Sequence, residues 1–186
     1  MMRAAAAIFL AAFSVEPSTT AHLNEAIALG RTCYAPIIRL QRPGTDFDVY
    51  VESPLARIAL FSATAQQMHL PFDAAAAARH YTTTSRVWAD YSAGGSRTIA
   101  VTGILVATSH PRSVSKPIAV KTEHFFLGRA ASHGIIESLR FRAGESTFET
   151  LPSGDFTVVL ETTAGRQEYR VTDTDRTKLL HVCNDR

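Results

Sequence analysis

The sequence FTVVLETTAGRQEYRVT, at residues 156–172, contains the strongest hairpin signal in the chain. Two runs with many β-branched and aromatic residues, 156–162 and 167–172, flank Ala164 and Gly165. Two such runs joined by a short connection that contains glycine are typical of a β-hairpin. We therefore start from antiparallel pairing and ask whether the rest of the chain agrees with it.

Most of the remaining chain also has a β pattern. Residues 46–52 alternate apolar and polar side chains, which predicts a half-buried strand. Residues 98–107 are almost continuously apolar, which predicts an interior strand covered on both faces. We predict further strands at residues 37–40, 86–91, 118–127, 135–142 and 179–182.

The clearest helix is expected to follow Ser53. The Ser53 hydroxyl can accept a hydrogen bond from the first turn, and Pro54 suits the first helical position. Four residues at helical spacing should form a stripe that packs on a sheet. They are Ile58, Phe61, Ala65 and Met68. Pro71 should end this helix, because proline has no amide hydrogen to donate.

Two shorter helices are also expected in the first half of the chain. One covers residues 23–29 and is closed by Gly30 in the left-handed C-cap position. The other begins at Asp73 and runs through the alanines at 74–78. Helices in the first half and strands in the second favour an α+β fold that is mainly β. We predict an antiparallel sheet or a β-sandwich with one or two short helices in the N-terminal half.

The first residues have the layout of a signal peptide. Arg3 precedes the apolar run 4–15, which is too short to cross a bilayer because a span takes roughly 20 residues. We predict a signal peptide at residues 1–21 and a single mainly-β globular domain at 22–186, secreted or periplasmic, with no membrane span in the mature chain. The alternative is an ordinary buried N-terminal helix.

The two cysteines, Cys33 and Cys183, lie near opposite ends of the predicted domain. In an oxidising compartment a pair of this kind is expected to form a disulfide. Two separate buried thiols are the alternative, because sequence alone does not give the distance between the two Cα atoms.

Charge and motifs exclude several classes of function. The 19 basic residues are interspersed with 17 acidic ones, so the charge pattern does not indicate a nucleic-acid-binding protein. The sequence contains no G-x-S-x-G, Walker A or G-x-G-x-x-G motif. We therefore predict no cofactor. Ser113-Val114-Ser115-Lys116 matches S-x-x-K, but the flanking prolines place it in a loop and indicate a chance match.

Histidines and aromatic residues provide the remaining candidates for a site. His124 and His133 could approach across one connection, with Glu137 as a carboxylate ligand, although surface or core histidines are the commoner case. Trp88 and Tyr91 could form an aromatic platform for a ligand, although such residues more often belong to the core.

Two loops, at residues 108–117 and 128–134, carry basic side chains and could contribute to recognition, although solvated connections are the simpler interpretation. The sequence as a whole favours a non-enzymatic module that binds a protein or an envelope component. The alternative is a small extracytoplasmic hydrolase with a dispersed site, assisted by metal at the two histidines.

Overall fold

The computed structural model describes residues 20–75, 84–92, 95–108, 114–115, 118–121, 142–149 and 151–183. These residues form short helices and antiparallel sheets, which confirms the prediction of an α+β fold that is mainly β. The helices are α1 Thr20–Arg31, α2 Pro54–Gln67 and α3 Asp173–Arg176.

The strands are numbered in chain order. They are β1 Tyr34–Ala35, β2 Ile37–Leu40, β3 Phe47–Glu52, β4 Ser85–Tyr91, β5 Val101–Thr108, β6 Val114–Ser115, β7 Ile118–Lys121, β8 Arg142–Phe148, β9 Phe156–Thr162, β10 Gly165–Val171 and β11 Leu180–His181.

The described strands form three antiparallel sheets. The largest has the order β2-β3-β4-β8-β7, the second has the order β10-β9-β5-β6, and β1 pairs with β11. The predicted hairpin is confirmed: β9 and β10 pair from Thr162 and Gly165 at the turn to Phe156 and Val171 at the open end. Gly165 has a φ of 121°, a conformation that glycine adopts without strain.

One hydrophobic core joins the two larger sheets and the helices α1 and α2. Val49 and Val87 contribute from the five-stranded sheet, Val158 and Leu160 from the four-stranded sheet, and Ile58 from α2. Shared burial of this kind stabilises the elements together, since none of them covers its apolar face alone.

Two predictions about strand burial are wrong in detail. All six residues of β3 are buried, so this strand is covered on both faces rather than half-buried. The second face is covered because its polar side chains pair with one another, as described below. In contrast, β5 is an interior strand as predicted, but Thr102 is exposed, so its two faces are not covered throughout.

Helix α2 begins at the predicted residue, but it buries a different face from the one predicted. Ser53 Oγ accepts a hydrogen bond from the Ala56 amide at 3.1 Å, and Pro54 occupies the first turn. Phe61 and Met68 are 48% and 46% exposed, so the predicted stripe does not lie on a sheet. The buried face is formed instead by Leu55, Ala56, Ile58, Ala59, Ser62 and Ala63.

The small residues of this face allow a close approach between α1 and α2. A Cβ atom added at Gly30 would meet Ser62 Cβ at 2.6 Å and the Ala63 amide nitrogen at 2.9 Å. Gly30 therefore lies within α1, facing α2, and the prediction that it closes the helix in a left-handed conformation is wrong. Cys33 has the positive φ of 64° after the helix ends.

A disulfide closes the fold at its two ends. The Cα atoms of Cys33 and Cys183 are 5.2 Å apart, and the predicted bond between them is confirmed. Strand β11 pairs with β1, and the Val182 amide donates to the Cys33 carbonyl at 2.9 Å. The pairing of β11 with β1 therefore brings Cys183 next to Cys33.

Some predicted elements lie outside the described residues. These are most of the helix expected from Asp73 and much of the strands expected at 118–127 and 135–142. Strand β8 begins at Arg142, where the second of these was expected to end. Within the described part of the chain, no helix has the length and apolar character needed to span a membrane.

Candidate ligand-binding cleft

An open cleft of about 400 Å³ lies between two strands that are each at the edge of a sheet, β2 and β10. One wall is formed by residues 39–42, the other by 168–170, and α3 with the turn after it closes one end. The residues that line the cleft are Arg39, Leu40, Gln41, Arg42, Glu168, Tyr169, Arg170, Asp175 and Lys178.

The floor of the cleft is apolar and well packed. Leu40 is 7% exposed and Tyr169 is 4% exposed. The Tyr169 hydroxyl lies 3.1 Å from the Phe47 carbonyl oxygen and 3.0 Å from Gln167 Oε1, and burial raises the pKa of this hydroxyl above its ordinary value. The bond to Phe47 joins β10 to the start of β3, the strand that pairs with β2, and so links the two sides of the cleft.

The main chain of β10 is accessible from the cleft. The Glu168 carbonyl accepts a hydrogen bond from Arg42 Nη1 at 3.5 Å, so it points away from β9. In an antiparallel strand the N–H and C=O of one residue point to the same side, and the pattern repeats every two residues. The amide hydrogens and carbonyls of Glu168 and Arg170 therefore face the cleft.

Basic side chains outnumber acidic ones in the lining. Arg39, Arg42, Arg170 and Lys178 are basic, whereas Glu168 and Asp175 are acidic. Asp48 and Asp155, just outside the lining, pair with Arg39 and Arg170 and offset part of this excess, so the unbalanced positive charge lies at Arg42. An unbalanced cation in an open cleft attracts anions.

The two acidic groups of the lining have nearby cations. Lys178 Nζ lies 2.8 Å from Asp175 Oδ1, and Arg166 lies 3.1 Å from Glu168. Burial alone would raise the pKa of Asp175, but hydrogen bonds from Lys178 and Thr172 outweigh burial and hold it below its ordinary value. Asp175 therefore stays ionised, and its charge is offset by Lys178.

Arg42 differs from the other cations of the cleft. Among the residues that the structure describes, no carboxylate lies within ion-pair distance of Arg42, and its guanidinium bonds only the Glu168 carbonyl. Arg39 forms an ion pair with Asp48 at 2.9 Å through Nη2, while its Nε is buried without an acceptor. Arg42 therefore offers the cleft guanidinium donors that the described residues do not use, whereas Arg39 Nε is closed to solvent.

Next to the cleft, one face of the five-stranded sheet carries a network that we call the charged ladder. Its ionic members are Arg39, Asp48, Glu52, Arg57, Arg86, Asp90, Arg142 and Glu145. Tyr50 and Trp88 stack at its centre, with ring centroids 5.1 Å apart and planes 7° apart. The guanidinium groups of Arg86 and Arg142 lie 4.7 and 5.0 Å from the Trp88 ring centroid.

The charged ladder places two acidic groups in the interior. Glu52 is fully buried, and its Oε2 accepts from Arg86 Nε at 2.6 Å and lies 3.5 Å from Arg57 Nε. Asp90 faces Asp48 across the strand pair β3–β4. Burial raises the pKa of Asp90 above its ordinary value, although Arg142 and the Trp88 indole N–H oppose this shift.

The charged ladder and the cleft differ in charge balance. The ladder has four acidic and four basic members, all ion-paired: one pair joins Arg39 and Asp48, and a connected set joins the other six, so each charge has an opposite partner as buried charges require. The cleft has an excess of cations and is open to solvent. We therefore treat the ladder as a stabilising network and the cleft as the candidate site, with Arg39 belonging to both.

Most of the sites considered from the sequence involve residues that the structure does not describe. His124, His133 and Glu137 lie outside the described residues, as do Ser113 and Lys116 and most of the two loops. Within the described part of the chain, no group of three or more His, Cys, Asp or Glu side chains is arranged to hold a metal ion.

The expected aromatic platform does not form. Trp88 stacks on Tyr50 within the charged ladder, whereas Tyr91 packs against Phe47 on the opposite face of the sheet, with ring centroids 5.2 Å apart. Residues three apart on a strand point to opposite faces, so the strand predicted at 86–91 already excluded a shared platform.

The chain matches no protein-family model, no curated protein and no solved structure. The sequence also did not indicate the cleft, because its two walls are 126 residues apart at the contact between Arg42 and Glu168.

Proposed function

We propose that this protein is a non-enzymatic binding module that acts outside the cytoplasm, and that the cleft between β2 and β10 is its recognition site. The observation that carries the proposal is the excess of positive charge in an open cleft whose wall is an accessible strand edge. Its partner is a protein or an envelope component. Edge strands and basic clefts are both common recognition surfaces, the first through main-chain pairing and the second through charge.

Two observations support a location outside the cytoplasm. The Cys33–Cys183 disulfide is of a kind that persists in oxidising compartments. The first 21 residues have the charge and apolar pattern of an export signal. We expect cell fractionation to recover the protein in the secreted or periplasmic fraction with its N-terminus near His22. Recovery from the cytosol with Met1 attached and both thiols reduced would refute this part of the proposal.

A panel of ligands of different chemistry tests the binding function. The panel contains acidic, basic and neutral peptides, oligosaccharides and inorganic phosphate, each titrated into the ¹⁵N-labelled protein with the disulfide intact. We expect at least one class to shift the amide signals of residues 39–42 and 168–170 reversibly. If no class shifts these signals, the cleft is not a recognition site for any of these chemistries and the proposal fails.

The same samples separate the binding module from the alternative, a hydrolase. Mass spectrometry of each ligand after long incubation should recover it intact if the protein only binds. Catalytic release of a product, abolished when His124 or His133 is replaced by alanine, would favour the metal-assisted hydrolase and contradict the proposal.

A further inference from the structure

We propose that the cleft binds an extended acidic peptide segment, which pairs through its main chain with the edge of β10 and through its carboxylates with Arg42 and Arg170. This inference rests on the proposed function and names the class of ligand. The support comes from the main chain, the charges and the dimensions of the cleft.

The main chain favours a peptide over a small anion. The amide hydrogens and carbonyls of Glu168 and Arg170 face the cleft, so this edge offers donors and acceptors in alternation. An extended peptide uses both kinds of group when it adds to a sheet edge. Phosphate acts mainly as an acceptor and would leave the outward-facing carbonyl of Arg170 without a donor.

The charges favour acidic side chains on that peptide. Arg42 has no carboxylate partner among the described residues. The Arg170 side chain is 73% exposed, so its pair with Asp155 is open to competition. A carboxylate placed between these groups would accept charge-assisted hydrogen bonds, and guanidinium can bind it through two parallel bonds.

The dimensions favour a short segment. The wall formed by β10 spans residues 168–170, and α3 closes one end. Because an extended chain advances about 3.4 Å per residue, about three or four residues of the ligand should contact this wall. Acidic residues at alternate positions would place their carboxylates on one side of the ligand strand.

The test uses the full chain with its disulfide intact and three capped peptides: hexa-glutamate, hexa-glutamine and hexa-lysine. We expect hexa-glutamate to bind more tightly than the other two, and to shift the amide signals of Glu168 and Arg170 most. Losing one exposed ion pair weakens binding by up to about fivefold. Because Arg42→Glu also places a repelling negative charge beside the ligand, it should weaken the binding of hexa-glutamate by at least about fivefold. Added salt should weaken binding further, since the charges are accessible to ions.

Arg31→Glu is the matched control. Arg31 is exposed at the end of α1, outside the cleft, and its replacement changes the net charge by the same amount. We expect binding of hexa-glutamate to this variant to stay within about twofold of the original protein. Fluorescence of the buried Trp88 verifies that both variants are folded.

The remaining outcomes would overturn the inference in distinguishable ways. Equal binding of hexa-glutamine or hexa-lysine at the same amides would refute the acidic ligand and leave the binding function intact. Displacement of hexa-glutamate by an equal concentration of inorganic phosphate would point to a small-anion site instead. A dimer in sedimentation that Arg42→Glu dissociates would identify a second copy as the occupant. If no probe shifts the cleft amides, the inference and the binding function both fail.

Discussion

Alanine at position 30 should destabilise the protein, even though alanine is the better helix former. Gly30 lies in the last turn of α1, where this helix meets α2. An added methyl group would lie 2.6 Å from Ser62 Cβ, 2.9 Å from the Ala63 amide nitrogen and closer still to the Ala59 carbonyl oxygen. Two of these three atoms belong to the backbone and have no rotamer that relieves the overlap.

The size of the effect follows from two opposing contributions. Replacing glycine by alanine within a helix gains at most about 1 kcal/mol from helix propensity. Adding a methyl group to a closely packed interface costs about 1 to 3 kcal/mol. The contact at Gly30 involves three atoms at once, so the cost should be at the upper end of this range. We expect Gly30→Ala to lower the free energy of unfolding by about 2 kcal/mol.

Equilibrium unfolding in urea measures this change. Trp88 is the only tryptophan of the chain, is 3% exposed and lies against two guanidinium groups, so its fluorescence should change on unfolding. Gly154→Ala is the matched control, because a Cβ atom there would have no neighbour within 4 Å. The control should change stability by no more than about 0.5 kcal/mol.

Equal or higher stability of Gly30→Ala would refute the reasoning. That result would mean that α1 and α2 do not approach each other at Gly30 as closely as described. The contribution of helix propensity would then be the larger of the two effects, and the small residues on the buried face of α2 would need another explanation.

The remaining predictions concern the disulfide and the charged ladder. Replacing both Cys33 and Cys183 by serine should lower the free energy of unfolding by up to about 5 kcal/mol, because the bond closes a loop with a sequence separation of 150. Calorimetry under oxidising conditions measures the loss. Glu52→Gln should cost about 3 kcal/mol in urea unfolding, since it leaves two arginines without their buried negative partner. A cost below about 1 kcal/mol would contradict the buried pairing. Burial raises the pKa of Asp90 above 3.8, so folding favours its protonated form, and this contribution to stability is lost as the pH rises through the folded pKa. The protein should therefore gain stability relative to Asp90→Asn as the pH falls from 7 towards 4, and a constant difference over this range would contradict the shift.

Patterns local in sequence predicted much of the fold. The hairpin around Gly165, the cap at Ser53 and the mainly-β class were all recognised, because each depends on residues within a few positions of one another. The disulfide was also anticipated, from the chemistry of two cysteines in an oxidising compartment.

The burial of individual side chains was harder to predict, because it depends on which other elements pack against each face of a helix or strand. Phe61 and Met68 have the spacing of a buried stripe, but α2 packs through its alanines against Gly30. Glu52 was expected on a solvated face, yet arginines from α2 and β4 cover it. Tertiary packing overrides local pattern in these cases.

The candidate site could not have been predicted from sequence. Arg39 and Arg42 belong to the second strand and the turn after it, whereas Arg170 and Lys178 come from the last part of the chain. Each basic residue is unremarkable in its local context. Only the meeting of two sheet edges gives them a shared cleft, and that meeting depends on contacts such as the bond from Tyr169 to Phe47.

The disulfide between Cys33 and Cys183 also determines how the protein responds to mechanical load. A force applied through the segments that precede and follow this bond passes through the two sulfur atoms and bypasses the sheets. The segment between the two cysteines, a sequence separation of 150 with a contour length of about 500 Å, bears no force while the bond is intact. A reductant would release that length, so the segment between the two cysteines would extend under tension only after the bond is cleaved.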